Sequence, residues 1–574
     1  MLHSWLSSFR HRLADANSLI HLSFLGVLSG FGSALVILSF RLLIDSISIS
    51  FLPGNNPENF EALPSWLHFA LPFAGAVIMG LLLRKMRPAD IQVGMVHVIT
   101  RLHGNHGYFP VKNALVQFFG GAFAIVTGQS GGREGPAIHL GAAANSILGR
   151  SMQLPNNSMR MLVGCGTSAA IAASFNTPIA GVIFAMEVIM LEYTVASFIP
   201  VMLATVTATA LTHAIYGSEL LFSIPSLDKT PLWELPYIAM MGLVIGSLAA
   251  LFIVVMKQGM RYADKPILNR FALAGLITGI CGLLVPEVLG LGYDSLNAAL
   301  AGQLALPLLL ALIAAKLLTT SLSVSLGLPV GLIGPNLLIG ACVGSAMGTL
   351  GAIFYPPAAD HHSFYVLLGM GAMMGAVLNA PLAALMALME LSNTTSIIFP
   401  GMLAITIATL TTSEIFKQHS AHQTVLNMTK QALPTDPLSL ALQRTGVSSV
   451  MHREVITIPE YLYATEAKRL LASTLSYFVI RTDELHLIHR NDLSPVLEQA
   501  LTDNPDRAIN LLKLGLPLQP LEELYIQATL WEAMDAMDKT GVDAVYIKAG
   551  NPKDSHGIIT RKLIDNHFRN TSRY

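Results

Sequence analysis

The chain has 574 residues, of which 53% are hydrophobic and only 12% are charged, and its mean hydropathy is +0.57. So few charged side chains cannot cover the surface of a water-soluble protein of this size, and the composition predicts a membrane protein. The net charge of −1 lacks the basic excess of nucleic-acid binders, so we expect no nucleic-acid partner. Because 32 of the 69 Lys, Arg, Asp and Glu residues follow Leu440, we expect a membrane body with a soluble tail.

The first residues are predicted to form a short cytoplasmic helix over 1–17, ahead of an apolar run from Leu19 to Ile44. That run exceeds the core of a signal peptide and predicts a retained membrane helix. Many later apolar runs are shorter than the ~20 residues that span a bilayer, and Gly, Pro, Ser and Asn interrupt them. Irregular backbone at membrane depth survives only inside protein or beside a cavity, so short, broken helices predict a transport protein.

The membrane body contains an internal duplication. GREGPAIHLG at Gly132–Gly141 aligns with GLIGPNLLIG at Gly331–Gly340. About forty residues later, NTPIAGVIFAME at Asn176–Glu187 aligns with NAPLAALMALME at Asn379–Glu390. Two motifs repeated in the same order at nearly the same offset predict two homologous halves.

The pattern changes beyond Leu440. Short β-like runs such as Tyr477–Ile480 alternate with helical ones, and LHLIHRNDL recurs in outline as HGIITRKLI. This pattern predicts a pair of βαβ-type modules. The predicted boundaries are residues 1–17 for the N-terminal helix, 18–215 and 216–432 for the two membrane repeats, 433–445 for a linker, and 446–515 and 516–574 for the two tail modules.

Both GxxGP segments read as loops that enter helix N-termini, because glycine permits a tight turn and proline suits the first helical turn. A helix N-terminus carries partial positive charge and unpaired N–H groups, which together attract anions. Glu134 lies inside the first segment, where the second repeat has Ile333. Its carboxylate could occupy the site of a permeating anion and leave it on protonation, so we predict that Glu134 is a gate.

These motifs resemble those of the CLC family of chloride channels and proton-coupled chloride exchangers, and the tail resembles the paired CBS modules of many members. The resemblance implies an all-α membrane protein built from two inverted repeats of short, tilted and broken helices, followed by a small α+β CBS pair. It also implies a homodimer with one anion pathway in each subunit, Glu134 as the gating glutamate, and an integral location, here expected in a bacterial inner membrane with the tail in the cytoplasm. The expected anion-binding residues are Arg133, Gly135, Val93, Gly94, Leu332, Ile333, Gly334 and His422.

Three positions depart from the family pattern. The serine that contacts the central anion falls on Val93, and the tyrosine that closes the inner site falls on His422, which is either an imidazole ligand or a bystander. The inner proton glutamate of the exchangers falls on Val188. Val188 favours passive, channel-like conduction, with a proton-coupled exchanger as the alternative and Glu192 as its substitute proton acceptor. Glu187 recurs as Glu390, which favours a structural role at a helix end.

Other expectations concern ligands and partners. Gly128–Gly132 matches G-x-S-x-G and raises the alternative of an intramembrane serine hydrolase at Ser130, but no suitable histidine accompanies it, so we expect no enzyme and no catalytic residue. Three isolated cysteines predict no metal site. Chloride or another small inorganic anion is the expected substrate, the lipid bilayer and a second copy of the chain are the expected partners, and no cofactor is required. Adenine nucleotide is an open alternative at the CBS pair, where His489, Asp492 and Thr560 match half of each contact pair.

Overall fold

The chain divides into two compact units. The membrane body comprises Leu22–Ser151 and Arg160–Leu433, and the tail unit comprises Met1–His21, Met152–Met159 and Pro434–Tyr574. The structure is a computed structural model that describes residues 12–14, 18–217, 232–354, 361–431, 437–482, 484–503, 508–548 and 556–571. Most of the helix predicted over 1–17 and the first part of the predicted linker lie outside these described residues.

The body is helical, as predicted. Its helices are α1 (Leu19–Phe51), α2 (Ser65–Leu83), α3 (Gly94–Gly104), α4 (Val111–Val126), α5 (Glu134–Ser151), α6 (Asn156–Phe175), α7 (Pro178–Met190), α8 (Val195–Tyr216), α9 (Leu235–Met260), α10 (Ile267–Leu284), α11 (Tyr293–Leu300), α12 (Leu306–Ser325), α13 (Ile333–Phe354), α14 (His362–Leu378), α15 (Pro381–Ser392), α16 (Ile398–Ile415) and α17 (Ala421–Met428). Within the described residues, eight of these helices are long and apolar enough to cross a membrane. This finding confirms the prediction of a multi-pass integral membrane protein.

Several helices are short or irregular, which confirms the reading of the broken apolar runs. Helices α4, α7 and α16 each contain a π-helical turn, at Val116–Gly120, Ala185–Met190 and Thr411–Ile415. Helices α3, α11 and α17 are too short to span a bilayer. Such elements survive in a membrane because neighbouring protein, and not lipid, surrounds their irregular backbone.

Glycine pairs allow the central helices to pack closely. A Cβ atom at Gly141 would lie 2.3 Å from the carbonyl oxygen of Gly166, and one at Gly340 would lie 2.2 Å from that of Gly369. These contacts join α5 to α6 in the first half and α13 to α14 in the second. Small residues at such interfaces are typical of membrane helices, because close backbone approach maximises dispersion contacts.

The two halves also exchange equivalent contacts. The carboxylate of Glu187 accepts hydrogen bonds from the N–H groups of Leu382 and Ala383, at the start of α15. The carboxylate of Glu390 accepts them from Ile179 and Ala180, at the start of α7. Each glutamate therefore caps a helix of the opposite half, which confirms the predicted structural role.

One face of the body lies where its chain continues into the tail unit. Arg160, where the body resumes after residues 152–159, donates to the carbonyl of Leu102. Gln431, close to the end of the body, accepts the hydroxyl of Thr100. Both residues therefore lie beside the end of α3. The start of α1 lies beside α6, with Ser29 donating to Leu162. We call this end the tail face and the opposite end the far face.

The tail unit is an α+β structure, as predicted. Its elements are α18 (Pro437–Arg444), α19 (Val447–Val450), β1 (Val455–Pro459), β2 (Tyr461–Leu462), α20 (Ala464–Ala472), β3 (Tyr477–Arg481), β4 (Leu485–His489), α21 (Arg490–Asp503), β5 (Ile509–Asn510), β6 (Gln519–Tyr525), α22 (Leu530–Thr540), β7 (Ala544–Lys548), β8 (Gly557–Thr560) and α23 (Arg561–Thr571). Helix α18 occupies most of the segment expected as a linker.

The larger tail sheet repeats one arrangement. Its strand order is β1-β3-β4-β6-β7-β8, with β1 parallel to β3 and β6 parallel to β7, and with antiparallel pairs β3/β4 and β7/β8. The two β-α-β-β-α units meet where β4 pairs antiparallel with β6. The two similar sequence segments form β4 with the start of α21, and β8 with the start of α23, so the repeat noticed in the sequence is a structural repeat.

Candidate functional site

The two GxxGP loops meet in the interior of the body. Gly132 and Gly331 form a two-residue antiparallel bridge, with an N–H···O distance of 2.7 Å in each direction. A Cβ atom at Gly135 would lie 2.7 Å from the Cα atom of Gly331, so this crossing requires glycine. Helices α5 and α13 start directly after the bridge, at Glu134 and Ile333. The predicted pair of helix N-termini is therefore brought together by backbone pairing.

Glu134 lies at the end of the helix from the other half. Its carboxylate accepts the N–H of Gly334 at 3.2 Å, in the first turn of α13, and it also accepts the hydroxyl of Tyr293. The side chain is fully buried. A carboxylate at a helix N-terminus is stabilised by the unpaired N–H groups and the helix dipole, as an inorganic anion would be. The carboxylate of the predicted gate thus lies at a helix N-terminus.

Tyr293 is a functional candidate that the sequence reading missed. Its ring is buried at the start of α11, and its own N–H donates to the carboxylate of Glu58 at 2.8 Å. Glu58 belongs to the loop between α1 and α2, outside the spanning helices, and burial raises its pKa to about 7 although the charge of Arg133 opposes the shift. A hydrogen-bonded chain therefore leads from Glu58 through Tyr293 to the gate.

The repeat itself could have revealed part of this arrangement. A shift of 199 positions takes Gly132 to Gly331, Gly94 to Tyr293, and Gln117 to Lys316. Gln117 donates to Pro329 and accepts from the N–H of Gly94, while Lys316 donates to the carbonyls of Val288 and Gly290. Both side chains hold the loops that precede short helices. Lys316 is fully buried, and a lysine within an apolar membrane segment is a signal of function that the sequence contains.

A cavity of about 370 Å³ reaches the crossing loops from the tail-face side. Among its walls are five of the eight residues predicted to bind the anion: Val93, Gly94, Gly135, Leu332 and His422. The other three, Arg133, Ile333 and Gly334, are not among its lining residues. Thr100, Thr429 and Gln431 line the same cavity near the tail face. The backbone crossing that carries Glu134 forms the inner end of this space. The tertiary structure thus collects residues from four separate segments around one chamber.

Val93 and Gly94 form one wall of the chamber. Val93 is extended, and Gly94, the first residue of α3, has φ +80°, a conformation that favours glycine. The N–H of Gly94 already donates to Oε1 of Gln117 at 2.7 Å. Since valine has no side-chain donor, this wall presents an apolar side chain where the family pattern has a hydroxyl.

His422 also lines the chamber, in α17, which follows the last spanning helix. Its side chain is 4% exposed, and neither ring nitrogen has a hydrogen-bond partner among the described residues. Burial lowers its pKa to about 4, so at neutral pH the ring is neutral and carries one N–H donor. A buried imidazole without a partner at a cavity wall is suited to bind a ligand that accepts hydrogen bonds.

Two buried histidines lie beside the chamber and were not anticipated. Nε of Arg101 donates to Nε2 of His97, at 3.1 Å. Because Nε2 of His97 accepts this bond, the proton of the neutral ring is assigned to Nδ1. Nδ1 lies 2.8 Å from Nε2 of His139. Nδ1 of His139 has no partner among the described residues. His97 lines the cavity, so this chain of polar groups leads from the chamber into α5.

Comparison with known proteins identifies this architecture. The family model described as "Voltage gated chloride channel" matches residues 75–413, which is more than half of the chain. The chain belongs to the CLC family. CLC proteins transport chloride, and the helical body with its α+β tail is the fold expected of a CLC transporter.

Curated CLC relatives carry different printed functions. A "Putative chloride channel protein ClcB-like" from Ralstonia nicotianae is 29% identical over 351 residues, which cover 60% of this chain and 82% of that protein. An "H(+)/Cl(-) exchange transporter ClcA" from Vibrio cholerae is 26% identical over 434 residues, which cover 72% of this chain and 92% of that protein. The relatives therefore include a protein named as a channel and one named as an exchanger.

Solved CLC structures share the fold at low sequence identity. A slow cyanobacterial Cl−/H+ antiporter matches with a TM-score of 0.62 at 20% identity, over 72% of this chain and 97% of its own. A eukaryotic CLC transporter matches with a TM-score of 0.59 at 16% identity, over 96% of this chain and 98% of its own. The second match extends over the tail as well as the membrane body.

Two further candidates from the sequence, Val188 and Ser130, lie inside the membrane body. Val188 is buried in the π-helical turn of α7. The hydroxyl of Ser130 is buried and lies 2.9 Å from that of Thr319 and 3.0 Å from that of Thr320. Among the described residues, its hydrogen-bond partners are these two threonines, and no histidine is among them. No group of three metal-ligating side chains occurs within the described residues.

The tail candidates lie at strand ends. His489 ends β4, Asp492 lies in the first turn of α21, and Thr560 ends β8. Strands β4 and β8 are separated by β6 and β7 in the sheet. The two half-matches therefore lie at two different places on the tail sheet and do not form a single cluster. The hydroxyl of Thr560 accepts the N–H of Leu563 at 3.3 Å.

Proposed function

We propose that this CLC protein conducts small inorganic anions, chloride foremost, passively through a Glu134-gated pathway in each subunit of a homodimer. The observation that supports it best is the carboxylate of Glu134 at the N-terminus of α13. Protonation removes the charge that this helix end attracts, so the side chain leaves and an anion takes its place. The chamber with Val93, Gly94, Leu332 and His422 is the proposed path to that position from the tail face.

Passive conduction rests on Val188. An apolar, buried side chain cannot carry a proton, and it stands where the exchangers have their inner glutamate. The second candidate is a proton-coupled exchanger, favoured by the relative named as an exchanger. In that case Glu192, which is 7% exposed and accepts the hydroxyl of Ser197 at 2.5 Å, is the proposed inner proton acceptor.

Reconstitution into liposomes with an internal pH-sensitive dye tests both candidates. Under an imposed chloride gradient we expect anion flux without uphill proton movement. Proton movement against its own gradient would instead establish the exchanger, and a lack of any anion flux from folded protein would contradict the proposal as a whole.

Variants of Glu134 and Glu390 test the gate. Glu134→Gln should conduct without dependence on far-face pH, because its side chain has no charge to lose. Glu390→Gln is the matched control. Glu390 also accepts hydrogen bonds from a helix N-terminus, but that helix is α7, and Glu390 does not line the chamber. If Glu134→Gln keeps the pH response of the parent, Glu134 is not the gate.

For the tail we propose a CBS pair on the cytoplasmic side of a bacterial inner membrane, which places the far face outside. The two β-α-β-β-α units support this proposal. Adenine nucleotide binding near His489 and Asp492, or near Thr560, is proposed as a regulatory property. Calorimetry with ATP and AMP on the full chain tests it: Asp492→Asn or Thr560→Ala should weaken binding, whereas Asp535→Asn, on the exposed face of α22, should not.

A further inference from the structure

Lys316 is fully buried in α12 and binds the loop between α10 and α11. Its Nζ donates to the carbonyl of Val288 at 3.0 Å and to that of Gly290 at 2.9 Å. A Cβ atom at Gly292 would lie 3.3 Å from the same Nζ, so the ammonium group reaches the residue directly before Tyr293. A buried ammonium group needs acceptors, and these carbonyls supply them. One side chain therefore holds the loop up to the start of α11.

Two further contacts join this loop to the segment that leads to Glu134. The N–H of Gly290 donates to the carbonyl of Gly128 at 3.3 Å. The ring of Phe60 packs against both glycines, because a Cβ atom would lie 2.7 Å from it at Gly290 and 3.2 Å from it at Gly128. Gly290 also has φ +62°, a conformation that favours glycine. The loop is therefore closely packed on the side opposite to its contact with Lys316.

Tyr293 follows this loop directly and begins α11. Its hydroxyl donates to the carboxylate of Glu134, and its N–H donates to the carboxylate of Glu58 at 2.8 Å. Hydrogen bonds weaken within a few tenths of an ångström of displacement, so the hydroxyl binds Glu134 well only while the start of α11 stays in place. Lys316 binds the loop and not this carboxylate. Its effect on Glu134 would therefore pass through the loop and Tyr293.

We propose that Lys316 is a positioning residue for the gate, which holds the loop from Val288 to Gly292 so that the hydroxyl of Tyr293 meets the carboxylate of Glu134. This inference rests on the proposed function, in which Glu134 is the gate. The hydrogen bond from Tyr293 stabilises the ionised carboxylate at the N-terminus of α13. Its loss favours release of the carboxylate, so flux should begin at a higher far-face pH.

Other charged and titratable groups face this assembly. Those around Lys316, Tyr293 and the adjoining Glu58 are Arg133, Glu61, Asp294 and Cys342. The charge of Lys316 could act on these groups, or on Glu134, without any help from Tyr293. The test must therefore separate an effect of position from a direct effect of charge.

A double-mutant cycle separates the two effects. Tyr293→Phe removes the hydroxyl and should raise the far-face pH of half-maximal flux by about one unit, since a hydrogen bond to a charged group is worth at least that much. Lys316→Met removes the donors and should shift this pH in the same direction. The double variant should match Tyr293→Phe alone, because no bond remains for the loop to position. Additive shifts would show that Lys316 acts by its charge, and would overturn the proposal.

Two further lysine variants complete the comparison. Lys316→Arg keeps donors for both carbonyls, so its pH response should stay closer to the parent than that of Lys316→Met. Lys257→Met is the matched control, because Lys257 donates to the side chain of Gln418 at 2.5 Å and not to the loop. It should leave the pH of half-maximal flux unchanged. Equal shifts in Lys257→Met and Lys316→Met would contradict a role specific to Lys316.

Gly290→Ala tests the loop without changing any charge, and it decides the proposal if Lys316→Met does not fold. Its methyl group would meet Phe60 and an unfavourable φ, so the loop must move. The pH of half-maximal flux should rise in the parent background and stay unchanged in the Tyr293→Phe background. Equal shifts in both backgrounds would overturn the proposal. If Tyr293→Phe keeps the parent's pH response while Glu134→Gln loses it, the positioning role fails and the proposed gate stands.

Discussion

His422 stands where the family pattern has a tyrosine, and neither of its ring nitrogens has a hydrogen-bond partner in the part of the chain that the structure describes. We therefore propose it as a side-chain ligand of the anion in the chamber. Because burial lowers its pKa to about 4, the ring is neutral at pH 7 and gains its charge only in acid. An anion binds the protonated ring more tightly, so binding should take up a proton. An unperturbed imidazole titrates nearer neutrality, and burial accounts for the difference.

We therefore expect anion affinity on the tail face to change little between pH 8 and 6 and to rise as pH falls toward 4. Calorimetry with chloride should show this rise in the parent and lose it in His422→Phe. His419→Phe is the control, because His419 is exposed in the segment just before α17. The same acid response in His422→Phe and the parent would make His422 a bystander.

Glu58 is the residue whose titration falls near neutral pH. Its pKa is raised to about 7 chiefly by burial, so the carboxyl is ionised at pH 8 and neutral at pH 6. The ionised form accepts the N–H of Tyr293, which in turn holds Glu134. Loss of this charge weakens the bond that positions Tyr293.

Acidification of the far face from pH 8 to 6 should therefore increase flux. Glu58→Gln should abolish this step, because glutamine is neutral throughout, while the separate response of Glu134 persists. Glu61→Gln, in the same loop, should behave like the parent. A pH–flux curve that is identical in Glu58→Gln and the parent would exclude Glu58 from gate control.

At the scale of elements, the duplicated glutamates should act as equals. Glu187 caps α15 and Glu390 caps α7, with two backbone N–H groups each. Glutamine keeps one acceptor but loses the charge, so each substitution should destabilise the protein by about 1–3 kcal/mol. Thermal denaturation in detergent should show similar losses for Glu187→Gln and Glu390→Gln. A loss confined to one variant would contradict equivalent roles.

For the whole molecule, one chain supplies every residue of the proposed pathway. The bridge between Gly132 and Gly331 joins the two halves of the same body, and Tyr293 and His422 come from that body as well. In the proposed homodimer each subunit should therefore conduct independently.

Tagged mixed dimers test this independence. Dimers with one parent subunit and one Glu134→Gln subunit should give flux of which about half responds to pH, since each gate controls only its own pathway. Dimers of two parent subunits and dimers of two Glu134→Gln subunits give the limits. Mixed dimers that match either limit would show a pathway shared between subunits.

Most of the fold could be predicted from local sequence patterns and from the internal repeats. Apolar runs broken by Gly and Pro predicted the short helices, because both residues act on the backbone within a few positions. The offset between Gly132 and Gly331 predicted two halves, and the paired segments after Leu440 predicted the repeated tail unit. Glu134 was found from its place in a helix-entry loop, since a carboxylate in an apolar segment needs a specific partner.

The partners themselves depended on packing across the two halves. Glu134 begins α5, yet its carboxylate binds α13 and Tyr293, some 200 and 160 positions away along the chain. Glu58 comes from the loop between the first two helices, and no short motif marks it. In a membrane, buried polar groups must find acceptors and donors inside the protein, whatever their separation in sequence. Motifs therefore identified the residue that is the proposed gate, whereas only the folded body showed which side chains surround it.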